Sequence, residues 1–131
     1  MVSKTRVTRV ADRIREEISE IMVKSIQDPR LAGVSVTDVE VDRELAYATI
    51  YFSCIEGAER ADEIKAGFHH AQGFLRSELA QRVDLRSFPR LRFQWDPTYE
   101  RAEKIEKLFA QLEQEKQERG ETDGTTSGEA A

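Results

Sequence analysis

Apolar residues recur at spacings of three and four in three stretches of this chain, and that period is typical of amphipathic helices. The first stretch follows the capping candidates Ser3 and Thr5 and ends at Asp28-Pro29, because a residue before proline is disfavoured in a helix. The second stretch follows Gly57. The third follows Asp96-Pro97, where the Asp96 side chain can accept a capping hydrogen bond and Pro97 takes the first helical position. The stripes are Val7, Val10, Ala11, Ile14, Ile18, Ile21 and Met22, then Ala61, Ile64, Phe68, Ala71, Leu75, Leu79 and Val83, and finally Tyr99, Ala102, Ile105, Leu108, Phe109 and Leu112.

Three other stretches have the residue types and the alternation of β-strands. In the stretch from Val34 to Val41 the alternation slips near Thr37-Asp38, which predicts a β-bulge. The stretch from Ala46 to Ile55 is rich in β-branched and aromatic residues, and the polar turn Asp42-Arg43-Glu44 joins it to the first strand as a hairpin. A third strand is predicted where Leu91, Phe93 and Trp95 alternate with Arg90, Arg92 and Gln94.

The predicted order is therefore helix, strand, strand, helix with a break, strand, helix. We place the break at Ala71-Gln72-Gly73, because a glycine inside a helix costs about 1 kcal/mol relative to alanine. A kink there would turn Phe74 toward the core. The pattern predicts an α+β domain in which a three-stranded sheet is covered on one face by helices, and it leaves the pairing of the third strand open.

With 131 residues, the chain is long enough for one domain with a hydrophobic core and too short for two. We place the domain at residues 1–112. Residues 113–131 are polar and acidic and cannot bury enough apolar surface to become ordered, so we expect a flexible acidic tail there.

The net charge of −5 is unevenly distributed along the chain. Residues 1–30 and 74–110 each carry a net charge of +2, whereas residues 31–73 carry −5 and residues 111–131 carry −4. Two basic segments are thus hidden in an acidic protein. This distribution excludes a uniformly basic nucleic-acid binder but is compatible with a single basic face.

Several features indicate a cytoplasmic protein that does not act in a membrane. No apolar run approaches the roughly 20 residues that a membrane-spanning helix needs, and the N-terminus lacks the apolar core of a signal peptide. Cys54 is the single cysteine, so an intrachain disulfide is excluded.

Catalysis has little support in the sequence. His69 and His70 are adjacent, so on a helix they point about 100° apart and cannot chelate one metal together. The motifs of phosphate-binding loops, serine hydrolases and zinc proteases do not occur. We therefore expect no enzyme, no cofactor and no metal.

RNA binding is better supported by a glycine-containing helix junction with arginines close to it. KH domains clamp the sugar-phosphate backbone at such a junction, because the missing Cβ lets a phosphate come close. We expect Ala71 and Gly73 to shape the junction. The predicted backbone contacts are Arg76, Arg82, Arg86, Arg90 and Arg92, with a weaker second set consisting of Arg6, Arg9 and Arg13.

Several short segments together resemble the bacterial ribosome-binding factor A family over roughly residues 5–110. They are the stretch from Arg6-Val7 to Asp28-Pro29-Arg30 with Val10-Ala11-Asp12, then Val34-Ser35-Val36-Thr37-Asp38-Val39, Tyr47-Ala48-Thr49-Ile50-Tyr51, Ala71-Gln72-Gly73-Phe74-Leu75-Arg76, and Pro89-Arg90-Leu91-Arg92-Phe93 before Asp96. The resemblance implies a KH fold of type II topology with an Ala-x-Gly kink in place of GXXG.

For function, the same resemblance implies a ribosome assembly factor. Such a factor binds the small (30S) ribosomal subunit, assists late maturation and 5′-end processing of 16S rRNA, and matters for growth in the cold. We expect the partner to be the small subunit with its 16S rRNA or precursor, and the free protein to be a monomer. The acidic block from Asp38 to Glu63 would repel rRNA, so binding has to be one-sided.

Two alternatives remain open at this stage. The chain could be a protein-interaction module that docks through its sheet or its last helix without direct RNA contact, and a small α+β enzyme is a distant third. Tyr47 and Tyr51 could stack bases, although cross-strand packing is the commoner role for tyrosines on a sheet.

Overall fold

The computed structural model describes residues 3–120 of the chain, except for the side chain of Tyr99. The elements are helix α1 (Lys4–Lys24), strands β1 (Val34–Val41) and β2 (Tyr47–Cys54), helix α2 (Ala61–Arg82), strand β3 (Arg90–Trp95) and helix α3 (Thr98–Glu118). Short 3-10 helices at Pro29–Leu31 and Ala58–Arg60 precede β1 and α2. The chain divides into two units after Asp96, the first containing the sheet with α1 and α2 and the second containing α3.

Strand β2 is the centre of a mixed sheet in the order β1-β2-β3. β1 and β2 form the predicted antiparallel hairpin, and Asp42 Oδ1 closes its turn by accepting from the N–H groups of Ala46 and Tyr47 at 2.7 and 3.0 Å. The register shifts between Val36 and Asp38, which confirms the predicted β-bulge. β3 pairs parallel to β2, so α2 is the crossover between the two strands.

Helices α1 and α2 cover one face of this sheet, as the apolar stripes predicted. The side chains of Ile14, Ile18 and Ile21 from α1 are fully buried. Phe68 of α2 lies against Phe52 of β2, with ring centroids 5.2 Å apart, and stacks on Phe93 of β3 at 4.4 Å. The α+β class is therefore confirmed, and within the first unit both helices pack on the same face.

The turn after α1 packs tightly against α2. Ser3 caps α1 by accepting from the N–H of Arg6, but the helix ends at Lys24, before the predicted boundary at Asp28. Asp28 instead caps the first 3-10 helix and makes an ion pair with Arg30 at 2.7 Å. Because Arg30 hydrogen-bonds to it, the pKa of the Asp28 carboxyl is lowered to about 2.

Helix α2 is continuous from Ala61 to Arg82, so the predicted division into two helical segments at Ala71-Gln72-Gly73 is wrong. The cost of one glycine is about 1 kcal/mol, whereas burial of one leucine contributes about 1.5–3 kcal/mol. Leu75 and Leu79, which follow the glycine, are fully buried, and their packing holds the helix together. Phe74 consequently stays at the surface with 46% of its area exposed, and it does not turn into the core.

Helix α3 forms the second unit and begins at Thr98, directly after Pro97. All of its residues from position 101 to position 115 are exposed, including those of the predicted apolar stripe. The helix also contains residues 113–118, which the sequence analysis placed in the flexible tail. Residues 121–131 of that predicted tail lie outside the described residues.

Candidate RNA-binding surface

A cleft of about 450 Å³ lies beside Gly73, where α2 faces the start of β3. Gln72, Gly73, Arg76, Arg90 and Leu91 line it, and we call it the Gly73 cleft. Gly73, Arg76 and Arg90 belong to the predicted site; the first two are one turn apart on α2, whereas Arg90 begins β3. The βαβ crossover brings them together, because it returns the chain from α2 to the strand beside β2.

The surface at Gly73 is open. Among residues 3–120, no heavy atom lies within 4 Å of a Cβ built on Gly73, apart from its two chain neighbours and the nearby backbone of its own helix, and the residue is exposed. A Cβ on Gly67, in the same helix, would lie 3.0 Å from Leu31 Cδ2 and 3.1 Å from Arg30 Cβ. Packing inside the protein thus explains why position 67 is a glycine, but it does not explain the glycine at position 73.

The two arginines of the Gly73 cleft are attached to the framework in different ways. The Arg76 guanidinium donates to the carbonyl oxygens of Phe88 and Pro89, from Nη2 at 2.7 Å and from Nε at 3.2 Å. Phe88 and Pro89 are buried, so these bonds hold the guanidinium in one place. Arg90 is anchored through its backbone, whose N–H donates to Ala46 at 2.9 Å, while its side chain is exposed.

Three residues near this site were not among the predicted contacts. Gln72 and Leu91 line the cleft, and Phe74 presents an exposed ring next to Gly73. The sequence signal for Gln72 was its place in the Ala-x-Gly tripeptide. The sequence could not indicate Phe74 as a contact, because the exposure of its ring depends on the helix being continuous.

Arg82 and Arg13 belong to an ion-pair cluster between α1 and α2. Arg82 Nη1 lies 3.2 Å from Glu17 and 3.1 Å from Glu20, and Nη2 lies 3.8 Å from Glu78. The hydrogen bond to Glu17 is the main cause of the raised pKa of Arg82. Arg13 makes an ion pair with Glu17 at 3.2 Å and donates to the backbone carbonyl of Arg82. Their charges are compensated within the protein, so the structure gives both arginines a structural role that the sequence analysis did not predict.

The other predicted contacts are dispersed. Ala71 is only 8% exposed and packs in the core, so it contributes no ligand-facing surface. Arg86 is exposed in the segment between α2 and β3, while Arg6 and Arg9 are exposed on α1.

Arg92 lies on the sheet face opposite α1 and α2, since its neighbour Phe93 packs against Phe68. Its guanidinium carbon is 3.6 Å from the ring centroid of Tyr47. This cation–π contact covers one face of the Tyr47 ring. Tyr51 on the same face donates to Glu40 at 2.8 Å, and this hydrogen bond raises the pKa of its phenol. On this face both tyrosines therefore make cross-strand contacts, the commoner role for tyrosines on a sheet.

Within residues 3–120, no group of histidine, cysteine, aspartate or glutamate side chains is arranged to hold a metal ion. His69 and His70 are both exposed on α2. None of the helices within residues 3–120 is both long enough and apolar enough to cross a membrane.

The fold and the sequence both match known proteins. The crystal structure of ribosome-binding factor A from Thermus thermophilus superimposes with a TM-score of 0.58, covering 66% of this chain and 92% of that one at 23% identity. A Thermus thermophilus ribosome-binding factor A homology model, fitted into the cryo-EM map of a 30S complex, matches with a TM-score of 0.51 at 26% identity, covering 71% of this chain and 94% of the other. The likeness to these structures confirms the predicted KH-like fold.

The sequence comparison agrees with the structural one. Ribosome-binding factor A from Aromatoleum aromaticum is 38% identical over 108 residues, which cover 82% of this chain and 85% of that protein. The family model of ribosome-binding factor A matches residues 6–109. The chain therefore belongs to the ribosome-binding factor A family.

Proposed function

We propose that this chain is a cytoplasmic ribosome assembly factor that binds the small ribosomal subunit through the Gly73 cleft. It assists late maturation of the subunit, including 5′-end processing of 16S rRNA, and supports growth in the cold. The observation that carries the proposal is the open surface at Gly73, bordered by the Arg76 guanidinium, which is bonded to the protein backbone, and by the exposed side chain of Arg90. Family membership and the 30S complex of a relative support the choice of partner.

The glycine supports close approach of an RNA backbone. It costs the helix about 1 kcal/mol relative to alanine, and no described neighbour takes up the space that it leaves. In a continuous helix the Gly73 N–H donates to the preceding turn, so it is not available to a phosphate. The ligand gains instead by lying directly on the helix surface, where any Cβ would hold it away.

The charge of the cleft selects for an anionic ligand. Among the described residues, its lining contains Arg76 and Arg90 and no carboxylate. The Arg76 guanidinium keeps one nitrogen, Nη1, outside its two bonds to Phe88 and Pro89, and that nitrogen can donate to a phosphate oxygen. Arg90 supplies a second, more mobile cation. Two phosphates of one strand can therefore be bound along the cleft.

The exposed ring of Phe74 adds a means of contacting bases. A base stacked on an aromatic side chain contributes about 1–3 kcal/mol without requiring a particular sequence. Phe74 follows Gly73 directly, so a strand that passes over the glycine can place a base on the ring. The predicted contacts at Arg6, Arg9 and Arg86 remain proposals as a peripheral basic set, and we assign Arg13, Arg82 and Arg92 to the protein's own contacts.

In this proposal the protein acts by binding and not by catalysis. A binding factor shifts a population only through its differential affinity for two states. We therefore expect precursor subunits to be bound more tightly than mature ones. Equal affinity for the two particles would rule out an action by population shift while leaving subunit binding intact.

The test is co-sedimentation of the full chain with purified small subunits at several salt concentrations. Arg90→Ala should weaken association and reduce the slope of log affinity against log salt by about one. Lys65→Ala removes an exposed cation elsewhere on α2 and should leave both quantities unchanged. If Arg90→Ala and Lys65→Ala behave alike, the Gly73 cleft is not the binding surface.

A further inference from the structure

His69 lies one helical turn before Gly73 on α2, and the fold makes no use of its side chain. The residue is exposed, and among residues 3–120 its imidazole has neither a hydrogen bond nor an ion pair with another residue. The adjacent His70 points about 100° away from it and interacts electrostatically with the Asp28 carboxyl. The two histidines therefore have different surroundings, although they are neighbours in sequence.

Helix geometry places His69 and Arg76 symmetrically about the two cleft residues between them. Side chains three and four residues apart are neighbours on a helix. Arg76 follows Gln72 by four residues and Gly73 by three, whereas His69 precedes the same two residues by three and by four. At 100° per residue, both side chains lie within the sector between Gln72 and Gly73. His69 and Arg76 thus border the open surface at Gly73 from opposite sides along the helix axis.

The position of His69 on α2 suits an anionic ligand. None of its neighbours at three and four positions along the helix carries a carboxylate; they are Lys65, Ala66, Gln72 and Gly73. An imidazole has at least one N–H group whether it is neutral or charged. His69 can therefore donate a hydrogen bond to a phosphate or ribose oxygen that lies over Gly73.

We propose that His69 is a further RNA contact of the Gly73 cleft and donates a hydrogen bond to the sugar-phosphate backbone on the side of Gly73 opposite to Arg76. This inference rests on the proposed function, because it requires an RNA strand that lies on the helix surface at Gly73. Such a strand has a cation on one side and an exposed donor on the other. Lys65 lies eight residues, or about 12 Å, before Gly73, so the contact ends with His69.

The test is co-sedimentation of the full chain with purified small subunits at one fixed salt concentration. His69→Leu replaces the imidazole by an apolar side chain of similar size, and it should weaken association about threefold to tenfold, the effect of one hydrogen bond. His69→Gln keeps an N–H donor and should retain most of the affinity. The comparison of leucine with glutamine separates a hydrogen-bond donor from a residue that only fills space.

A matched control is available on the same helix. Gln81→Leu makes a polar-to-leucine change at another exposed position, two turns beyond Gly73, and should leave the affinity unchanged. All three variants should keep the helix content and the Tm of the unaltered protein, because none of the altered side chains is buried.

Arg90→Ala distinguishes a failure of this inference from a failure of the proposed function. If Arg90→Ala weakens association while His69→Leu behaves like Gln81→Leu, the cleft binds the subunit without His69 and the inference is overturned. Equal losses in His69→Leu and His69→Gln would also overturn it, because the donor would then be irrelevant. If Arg90→Ala has no effect, the proposed function fails and the inference fails with it.

Discussion

Gly67→Ala and Gly73→Ala are the same chemical change in the same helix, and the structure predicts opposite effects on the free energy of unfolding. At Gly73 the new methyl group enters open space, so the variant gains helix propensity of about 1 kcal/mol. At Gly67 the methyl group would lie 3.0 Å from Leu31 Cδ2 and 3.1 Å from Arg30 Cβ. Leu31 is buried, and the Arg30 side chain is held by its ion pair with Asp28, so neither neighbour yields freely.

The size of the stability difference between the two variants is set by overpacking, which affects only Gly67→Ala. Overpacking of a filled site costs about 1–3 kcal/mol, while the propensity gain is common to both positions. Gly73→Ala should therefore be more stable than Gly67→Ala by about 1–3 kcal/mol. For a domain of roughly 100 residues, each kcal/mol corresponds to about 4–8 °C in Tm.

The assay is urea denaturation followed by far-UV circular dichroism, with Tm from differential scanning fluorimetry. The denaturant dependence, m, must stay constant, so that a change of midpoint reports a change of stability. Gly73→Ala should then bind small subunits more weakly than the unaltered protein, although it is the more stable of the two.

Two outcomes would refute different parts of this reasoning. If Gly73→Ala is destabilised, the glycine serves the fold and the open surface is not its explanation. If Gly73→Ala is stabilised but binds subunits with unchanged affinity, the packing argument stands and the proposed function of the cleft fails.

Three further predictions rest on individual side chains. Arg82→Ala should lower Tm more than Arg86→Ala, because Glu17, Glu20 and Glu78 each lose an ion pair with Arg82, and equal values would show that these pairs contribute nothing. Hydrogen bonding to Arg30 lowers the pKa of Asp28 from 3.8 to about 2, so this pair stabilises the fold fully above pH 3.8 and loses its effect as the pH falls toward 2. Urea midpoints of the unaltered protein should fall more steeply across that window than those of Asp28→Asn, and parallel curves would contradict the linkage. Phe74→Ala should weaken subunit binding with little change in Tm, and Phe74→Tyr should retain binding.

Most of the fold was predictable because local patterns and tertiary packing agree. The stripes of α1 and α2, the alternation in β3 and the slip at Thr37-Asp38 each correspond to an observed element. The break at Gly73 was wrong because propensity is a local quantity, whereas Leu75 and Leu79 stabilise α2 by burial against distant residues. The parallel pairing of β3 is also non-local and leaves no trace in a periodicity.

Predicting the site was less successful, since the partner of a charged side chain depends on the tertiary structure. Arg76 and Arg82 lie on the same helix and look alike in sequence. One faces the carbonyls of Phe88 and Pro89, and the other faces Glu17 across the gap to α1. A glycine that serves packing and a glycine that leaves a surface bare likewise cannot be told apart before the neighbouring elements are in place.

The position of β3 also has a consequence for biosynthesis. β2 is the middle strand, and it acquires its second neighbour only from a segment that ends at Trp95. During translation the nascent chain must therefore keep one edge of β2 without a neighbour until nearly the whole first unit has left the exit tunnel. Chaperones that recognise unpaired strands have their opportunity in that interval, and synonymous codon changes that slow elongation between residues 55 and 95 would lengthen it.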